Sequence, residues 1–244
     1  MGAILKIKNV KFSNSLCTLK IDDKLKLLNI EVLAKWFEID KKYINPYNSN
    51  FFIKEKNTNE YFGNTAYVSL FEEDGINGKP SMTYGTGAKN GVVVNNLFSL
   101  NSSYTVSFVC TTNCSTQYSG LLLSNNSGDG FGLVCAGNML EVRNSLNSKK
   151  TFNDFFSKNV PVIVTVEFDK NKKTLTVYKN GHIFDIVEMN HSPISTNVIF
   201  LNTGDNTHQS MKLGDIFTFN KVLSNNQNDF ELVHNYLKSK YIIA

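Results

Sequence analysis

From residue 162 onward the chain alternates: Val162, Val164, Val166 and Phe168 are apolar, with Ile163, Thr165 and Glu167 between them. Successive side chains of a strand point to opposite faces, so this period of two predicts a strand with one buried face and with Glu167 on the solvent side. Asp169-Lys170-Asn171-Lys172 is a turn, and Leu175 and Val177, flanked by Thr174, Thr176 and Tyr178, form the next strand. Asn180-Gly181 tolerates the positive φ of a two-residue hairpin and leads into a third strand at 183–187. Met211–Phe219 predicts one more strand. Ser224 then precedes Gln227 in capping-box spacing, and Phe230, Val233, Leu237 and Tyr241 line one face of the helix it opens.

Upstream, the segments 104–112, 120–124, 130–135 and 139–143 read as strands separated by turn residues, the spacing of an all-β sandwich. Residues 25–39 are apolar enough for strand or helix and hold the single tryptophan, Trp36, which reads as core. Residues 40–65 are polar, with one short strand near Phe51-Phe52-Ile53. Residues 4–10 and 16–21 alternate on either side of Ser13-Asn14-Ser15, as an attachment hairpin or two extra edge strands. The Gly85-Thr86-Gly87-Ala88-Lys89-Asn90-Gly91 run has neither phosphate-loop spacing and leads into Val92-Val93-Val94, so it is a turn before a strand.

Four segments, in this order and spacing, resemble the concanavalin A-like jelly roll in its laminin-G-like branch, common in phage virion proteins. They are Trp36-Phe37-Glu38; Gly75-Ile76-Asn77-Gly78-Lys79-Pro80; Val177-Tyr178-Lys179-Asn180-Gly181; and Leu213-Gly214-Asp215-Ile216 with Val222-Leu223-Ser224, Tyr236-Leu237 and Lys240-Tyr241. Thr218 departs from the pattern, standing where the family has an acidic residue. The resemblance covers roughly residues 33–244 and implies a two-sheet antiparallel jelly roll, a domain at 31–244 with a short C-terminal helix; residues 1–30 stand outside it as an N-terminal hairpin or attachment segment. It further implies a non-enzymatic virion component of fibre type, made in the host cytoplasm. Such a protein is a homo-oligomer, held by other virion proteins through its N-terminal segment and binding carbohydrate. A purely structural decoration module is the alternative, and a divergent glycan hydrolase a weaker one.

Composition narrows the partners. The net charge of +4 comes from scattered lysines, with Arg143 the only arginine, so no basic stripe for nucleic acid is visible. No apolar run approaches the roughly 18 residues needed to span a bilayer, and the lysine-broken opening is no signal peptide. Cys17, Cys110, Cys114 and Cys135 lack metal-ligand spacing and read as buried thiols, with a Cys110–Cys114 bridge as the alternative. His182, His191, His208 and His234 show no ligand spacing either.

If successive strands reverse, the connections at 125–130, 145–159, 180–181 and 203–210 share one rim, and those at 113–118, 169–172 and 189–196 the other. The first rim holds Asn125, Asn126, Asp129, Asp154, Asn202, Asp205, Asn206 and His208, and planar amides and carboxylates suit sugar hydroxyls. Phe131 or Phe155 offers a stacking face there. This rim is the candidate glycan site, with turn formation as the plainer reading of each residue. Asp129 and Asp205 are weak calcium candidates, since no Asp-x-Asp-x-Asp run accompanies them; no other cofactor is expected. Glu38-Ile39-Asp40 and Glu167-Phe168-Asp169 each lack the third acid of the glucanase pattern, so no catalytic residue is assigned.

Overall fold

The computed structural model describes residues 21–41, 44–47, 50–64, 69–84, 91–116, 118–124, 130–145, 147–202 and 210–244. Helix α1 (Ile21–Leu28) is followed by β1 (Leu33–Phe37), β2 (Ile44–Tyr47), β3 (Asn50–Lys54), β4 (Tyr61–Asn64), β5 (Ser69–Ile76), β6 (Lys79–Tyr84) and β7 (Val93–Val94). Next come β8 (Tyr104–Thr112), β9 (Ser119–Ser124), β10 (Gly132–Ala136), β11 (Met139–Ser145), β12 (Ser148–Phe152) and β13 (Val162–Asp169). The chain ends through β14 (Thr174–Lys179), β15 (His182–Glu188), β16 (Val198–Asn202), β17 (Met211–Phe219) and helix α2 (Gln227–Tyr241). One sheet has the order β15-β14-β13-β8-β17-β6-β5, with β1 beside β17; the second runs β12-β11-β10-β9-β16-β7; β2, β3 and β4 form a small third. The fold is therefore the expected all-β antiparallel sandwich closed by a C-terminal helix.

Alternation accounts for the layers. Val162, Val164, Val166 and Phe168 of β13 point between the two large sheets, where they join Phe108, Leu133, Leu140 and Phe200 in one core. The opposite face of the first sheet presents Val109, Ile163, Tyr178 and Phe217, and these pack with Leu27, Phe230, Val233 and Leu237 from the two helices. This second layer corrects the reading of Glu167, which lies beneath the start of α2 and is 2 % exposed. Its carboxylate accepts from the Tyr178 hydroxyl at 3.0 Å, the Ser224 N–H at 2.9 Å and the Ser224 hydroxyl at 2.6 Å. Ser224 is thus committed to Glu167, and the helix is capped instead by Asn226, whose side chain accepts from the Asp229 N–H.

Trp36 is core as expected, stacked on Phe217 at 4.9 Å and edge-on to Tyr236 at 5.4 Å. Asn180 and Gly181 adopt φ of 55° and 85°, the two positive values of a type I′ hairpin. Gly214 lets the end of α2 approach the sheet: a Cβ there would lie 2.6 Å from the Tyr241 ring. Beside it, Asp215 is buried and binds Lys240, Tyr236 and Tyr241 from α2. Thr218 is buried and donates to the Leu97 carbonyl at 2.7 Å.

Cys110, Cys114 and Cys135 are free thiols. Burial pushes Cys110 and Cys135 well above the usual thiol range, so both are inert at neutral pH. Of the segment at 1–30, residues 1–20, with Cys17, lie outside the described residues, whereas Leu27 and Ile30 are buried against the α2 layer. Residues 85–90 of the glycine run also lie outside them, and the strand that follows is the short β7. Among the described residues, no helix is long and apolar enough to cross a membrane.

Candidate functional site

The grouping of loops expected from the sequence does not hold, because β12 was not legible there. Its sequence, Ser-Lys-Lys-Thr-Phe, has an exposed centre and no alternation, yet it pairs along β11 from Ser145↔Ser148 to Leu140↔Phe152. This extra reversal moves the described connections at 170–173, 180–181 and 189–197 to the opposite rim. In the second sheet Ser124 pairs with Val198 whereas Asn202 pairs with Gly120, so the segments after Ser124 and after Asn202 leave opposite ends of the β9–β16 pair. Asn125, Asn126, Asp129, Asp205, Asn206 and His208 lie outside the described residues, as does the side chain of Asn202.

Phe131 is also corrected. It is fully buried, edge-on to Phe98 at 5.0 Å and to Tyr104 at 5.3 Å, and is a core residue with no stacking face to offer. Phe155 is buried as well. Asp154 accepts from the Asn138 side-chain amide, in the connection between β12 and β13.

On the rim that begins at Tyr104 and ends at Asp169, four connections converge. They are the lead-in to β8, the β11–β12 turn, the β13–β14 turn and the link from β15 to β16. Together they wall a groove of about 880 Å³ whose lining includes Leu100, Asn147, Lys170, Lys173, Asn190, His191 and Ile194. By sequence, Ser145 and Asn147 fall on one rim and the other groove residues on the opposite one or on none. Single loop residues carry no sign of which distant loops they will meet.

The walls are braced by hydrogen bonds. Asp169 Oδ1 accepts from the N–H groups of Asn171 and Lys172, which closes the β13–β14 turn. The Lys170 N–H donates to Ser103 Oγ at 3.0 Å and its ammonium to the Asn101 carbonyl at 2.9 Å, tying two walls together. The link before β16 is held by Phe131 N–H to the Ser195 carbonyl, Leu97 N–H to the Thr196 carbonyl, and the Thr196 hydroxyl to the Phe98 carbonyl.

Behind the groove stands the buried amide of Asn144. Burial pushes the Tyr104 phenol well up, so it stays a donor, and it donates to Asn144 Oδ1 at 2.7 Å. That orients the amide so that Nδ2 donates to the His191 carbonyl at 2.7 Å. Asn144→Leu keeps the volume but leaves both partners unpaired, and is expected to cost about 1–3 kcal/mol per buried group stranded. Hydrogen exchange should then quicken at residues 190–194 before it does in β13. Equal protection in the two regions would show that Asn144 does not hold this wall.

The groove presents amides from Asn147 and Asn190, hydroxyls from Ser145 and Ser192, and ammonium groups from Lys170 and Lys173. Leu100 and Ile194, 51 % and 66 % exposed, add apolar contact at its mouth. Such a mixture of donors, acceptors and small apolar surfaces matches a polyhydroxylated ligand. No carboxylate lines it among the described residues, and the buried acids Glu38, Asp215 and Glu167 serve helix packing instead. Among the described residues no group of three or more His, Cys, Asp or Glu is arranged to hold a metal ion.

No protein-family model matches the chain, and no curated protein does. Solved structures do. The botulinum neurotoxin serotype C1 binding domain matches with a TM-score of 0.58 at 16 % identity, over 84 % of this chain and 52 % of that one. The binding domain of botulinum neurotoxin DC, in complex with rat synaptotagmin II, matches with a TM-score of 0.58 at 15 % identity, over 84 % and 52 %. A botulinum neurotoxin type C structure, described as showing cell entry dependent on two ganglioside molecules, matches with a TM-score of 0.58 at 17 % identity, over 88 % and 53 %. The chain thus spans about half the length of these neighbours, and likeness at such identities is a likeness of fold alone.

Proposed function

We propose that the chain is a non-enzymatic glycan-binding domain whose sugar site is the groove between the β11–β12 turn, the β13–β14 turn and the β15–β16 link. The observation that carries this reading is the convergence of four braced loops on one concavity furnished with amides, hydroxyls and lysines. The fold neighbours support it, one being from a neurotoxin whose cell entry depends on interaction with two ganglioside molecules and another a neurotoxin binding domain in complex with rat synaptotagmin II. Retaining or inverting glycoside cleavage needs two carboxyls facing one bond, and the described lining supplies none, so the domain holds sugar without cutting it. The resemblance of its sequence segments to laminin-G-like phage proteins supports reading the domain as a fibre-type virion component, a homo-oligomer held by its N-terminal segment.

A printed array of neutral and acidic glycans, probed with the full chain, tests the reading. Asn147→Ala with Asn190→Ala should cut retained signal by roughly tenfold while changing stability by less than about 0.5 kcal/mol, because both are exposed. Undiminished binding in the double variant would remove the site from this groove. The second reading, a structural decoration module, draws on the edge strand β15, which leaves Ile183, Phe184 and Ile186 exposed. It predicts no signal on the array and association of the chain with itself or with other virion proteins.

A further inference from the structure

We infer that the groove selects sugars bearing an anionic group, and that Lys173 is the residue that meets that group. The inference rests on the groove being the binding site proposed above and adds the charge of its ligand. Among the described residues the lining carries Lys170, Lys173 and His191 and no acid. The acid nearest in sequence, Asp169, is already occupied: one oxygen takes two turn N–H groups and the other pairs with Lys172 at 3.4 Å. Lys172 is thereby withdrawn, whereas Lys173 makes no ion pair among the described residues. Lys170 spends one of its three N–H groups on the Asn101 carbonyl, which fixes its ammonium at the wall and leaves two for a ligand.

The backbone supports the assignment of Lys173. It sits at φ 54°, a left-handed conformation that glycine or asparagine adopts at less cost, so a lysine here carries a local penalty. Its carbonyl accepts the Met189 N–H at 2.9 Å, which ties the lysine to the β15–β16 wall and holds its position over the groove. Neutral-sugar sites draw their energy from an aromatic platform and from acid–amide pairs bridging neighbouring hydroxyls. Here the lining's aromatic ring, Phe168, is 1 % exposed and forms the floor. What the described groove offers instead is positive charge, with Leu100 and Ile194 as apolar flanks for ring carbons or an acyl methyl.

Calorimetric titration of the full chain tests this with sialyllactose, sulfated lactose, unmodified lactose, maltotriose and a short oligothymidylate as probes. The expected result is binding of one or both acidic sugars over lactose and maltotriose, weakening as sodium chloride is raised. Sialyllactose against sulfated lactose then distinguishes carboxylate from sulfate as the preferred anion. Lys173→Gln should weaken that binding roughly tenfold, as the loss of a hydrogen bond to a charged group does, with the thermal midpoint unchanged. Neutral sugars bound as tightly, unaffected by Lys173→Gln but abolished by the groove-filling Asn147→Trp, would overturn this inference and leave the glycan site standing. Absence of binding to every sugar overturns both, and binding of oligothymidylate in preference to the sugars overturns the acidic-sugar assignment.

Discussion

Asp215→Ala is expected to destabilise the domain by about 3–5 kcal/mol, the usual cost of removing one partner from a buried charged network. Oδ1 accepts from the Ile39 N–H at 2.8 Å and the Tyr241 hydroxyl at 2.8 Å, and Oδ2 accepts from the Tyr236 hydroxyl at 2.6 Å. Lys240 lies 2.7 and 2.9 Å from the two oxygens. The side chain therefore joins β17, the chain after β1 and the last two turns of α2. Burial, reinforced by the charge of Asp215, pushes both tyrosines well up, so they remain donors. Alanine strands the Ile39 N–H, leaves the Tyr241 and Tyr236 hydroxyls only their longer bonds to the Pro80 carbonyl at 3.2 Å and Glu38 at 3.3 Å, and uncovers part of a lysine's charge in a closed interface. Urea unfolding measures the effect, and Asp215→Asn, which keeps the shape and some of the acceptor capacity, should lose less. Equal midpoints for wild type and Asp215→Ala would show that α2 docks without this hub.

Acid should unfold the protein in two stages, the first set by His234. Its Nδ1 faces the Phe230 carbonyl at 2.8 Å and Nε2 faces the Thr165 hydroxyl at 2.9 Å, which in turn meets Ser107 Oγ at 2.7 Å. With Nδ1 donating to the carbonyl, the neutral ring satisfies both neighbours. Burial, aided by the nearby charges of Lys238 and His182, outweighs the Phe230 carbonyl and holds the imidazole at about 4 instead of 6.5. Above 6.5 the ring is neutral in both folded and unfolded chains and costs nothing. Between 6.5 and 4 the unfolded chain takes up a proton that the folded one refuses, so stability falls with pH, by on the order of 3 kcal/mol across the window.

Glu38 governs the second stage. Burial would raise it, but the charge of Lys240 and the bonds from Lys24 and Lys56 prevail and hold it at about 2 instead of 4.5. Its stabilising contribution is complete above 4.5 and is lost as pH falls through 2. Urea midpoints recorded from neutral pH downward should therefore decline first between 6.5 and 4, and His234→Gln should flatten that limb alone. A wild-type profile flat over that range would show that the ring is protonated in place.

How far the sequence reached can be judged element by element. Where one face of a strand is buried against a continuous core, the alternation of Val162, Val164, Val166 and Phe168 suffices to locate β13, and Asn180-Gly181 to place the turn after β14. The role of Glu167 was not legible, because a polar residue facing water and one facing a helix's first turn occupy the same position in a period of two. The hub at Asp215 was visible only as a motif; its partners Ile39, Tyr236, Lys240 and Tyr241 come from elements far apart in the chain.

The candidate site was less legible than the fold. The rim on which a loop residue lies depends on the number of strands before it, and the connection read at 145–159 contains the strand β12, so one missed strand reverses the assignments that follow. β12 was missed because its Lys149, Lys150 and Thr151 are exposed on an edge, where nothing demands alternation. By itself the sequence determined the class, two antiparallel sheets and a closing helix, because hydrophobic periodicity is a local property that burial imposes on each strand separately. Only the tertiary structure decided that Leu100, Asn147, Lys173 and Ile194 share one groove, because that depends on strand pairing across the whole sandwich, which no local pattern encodes.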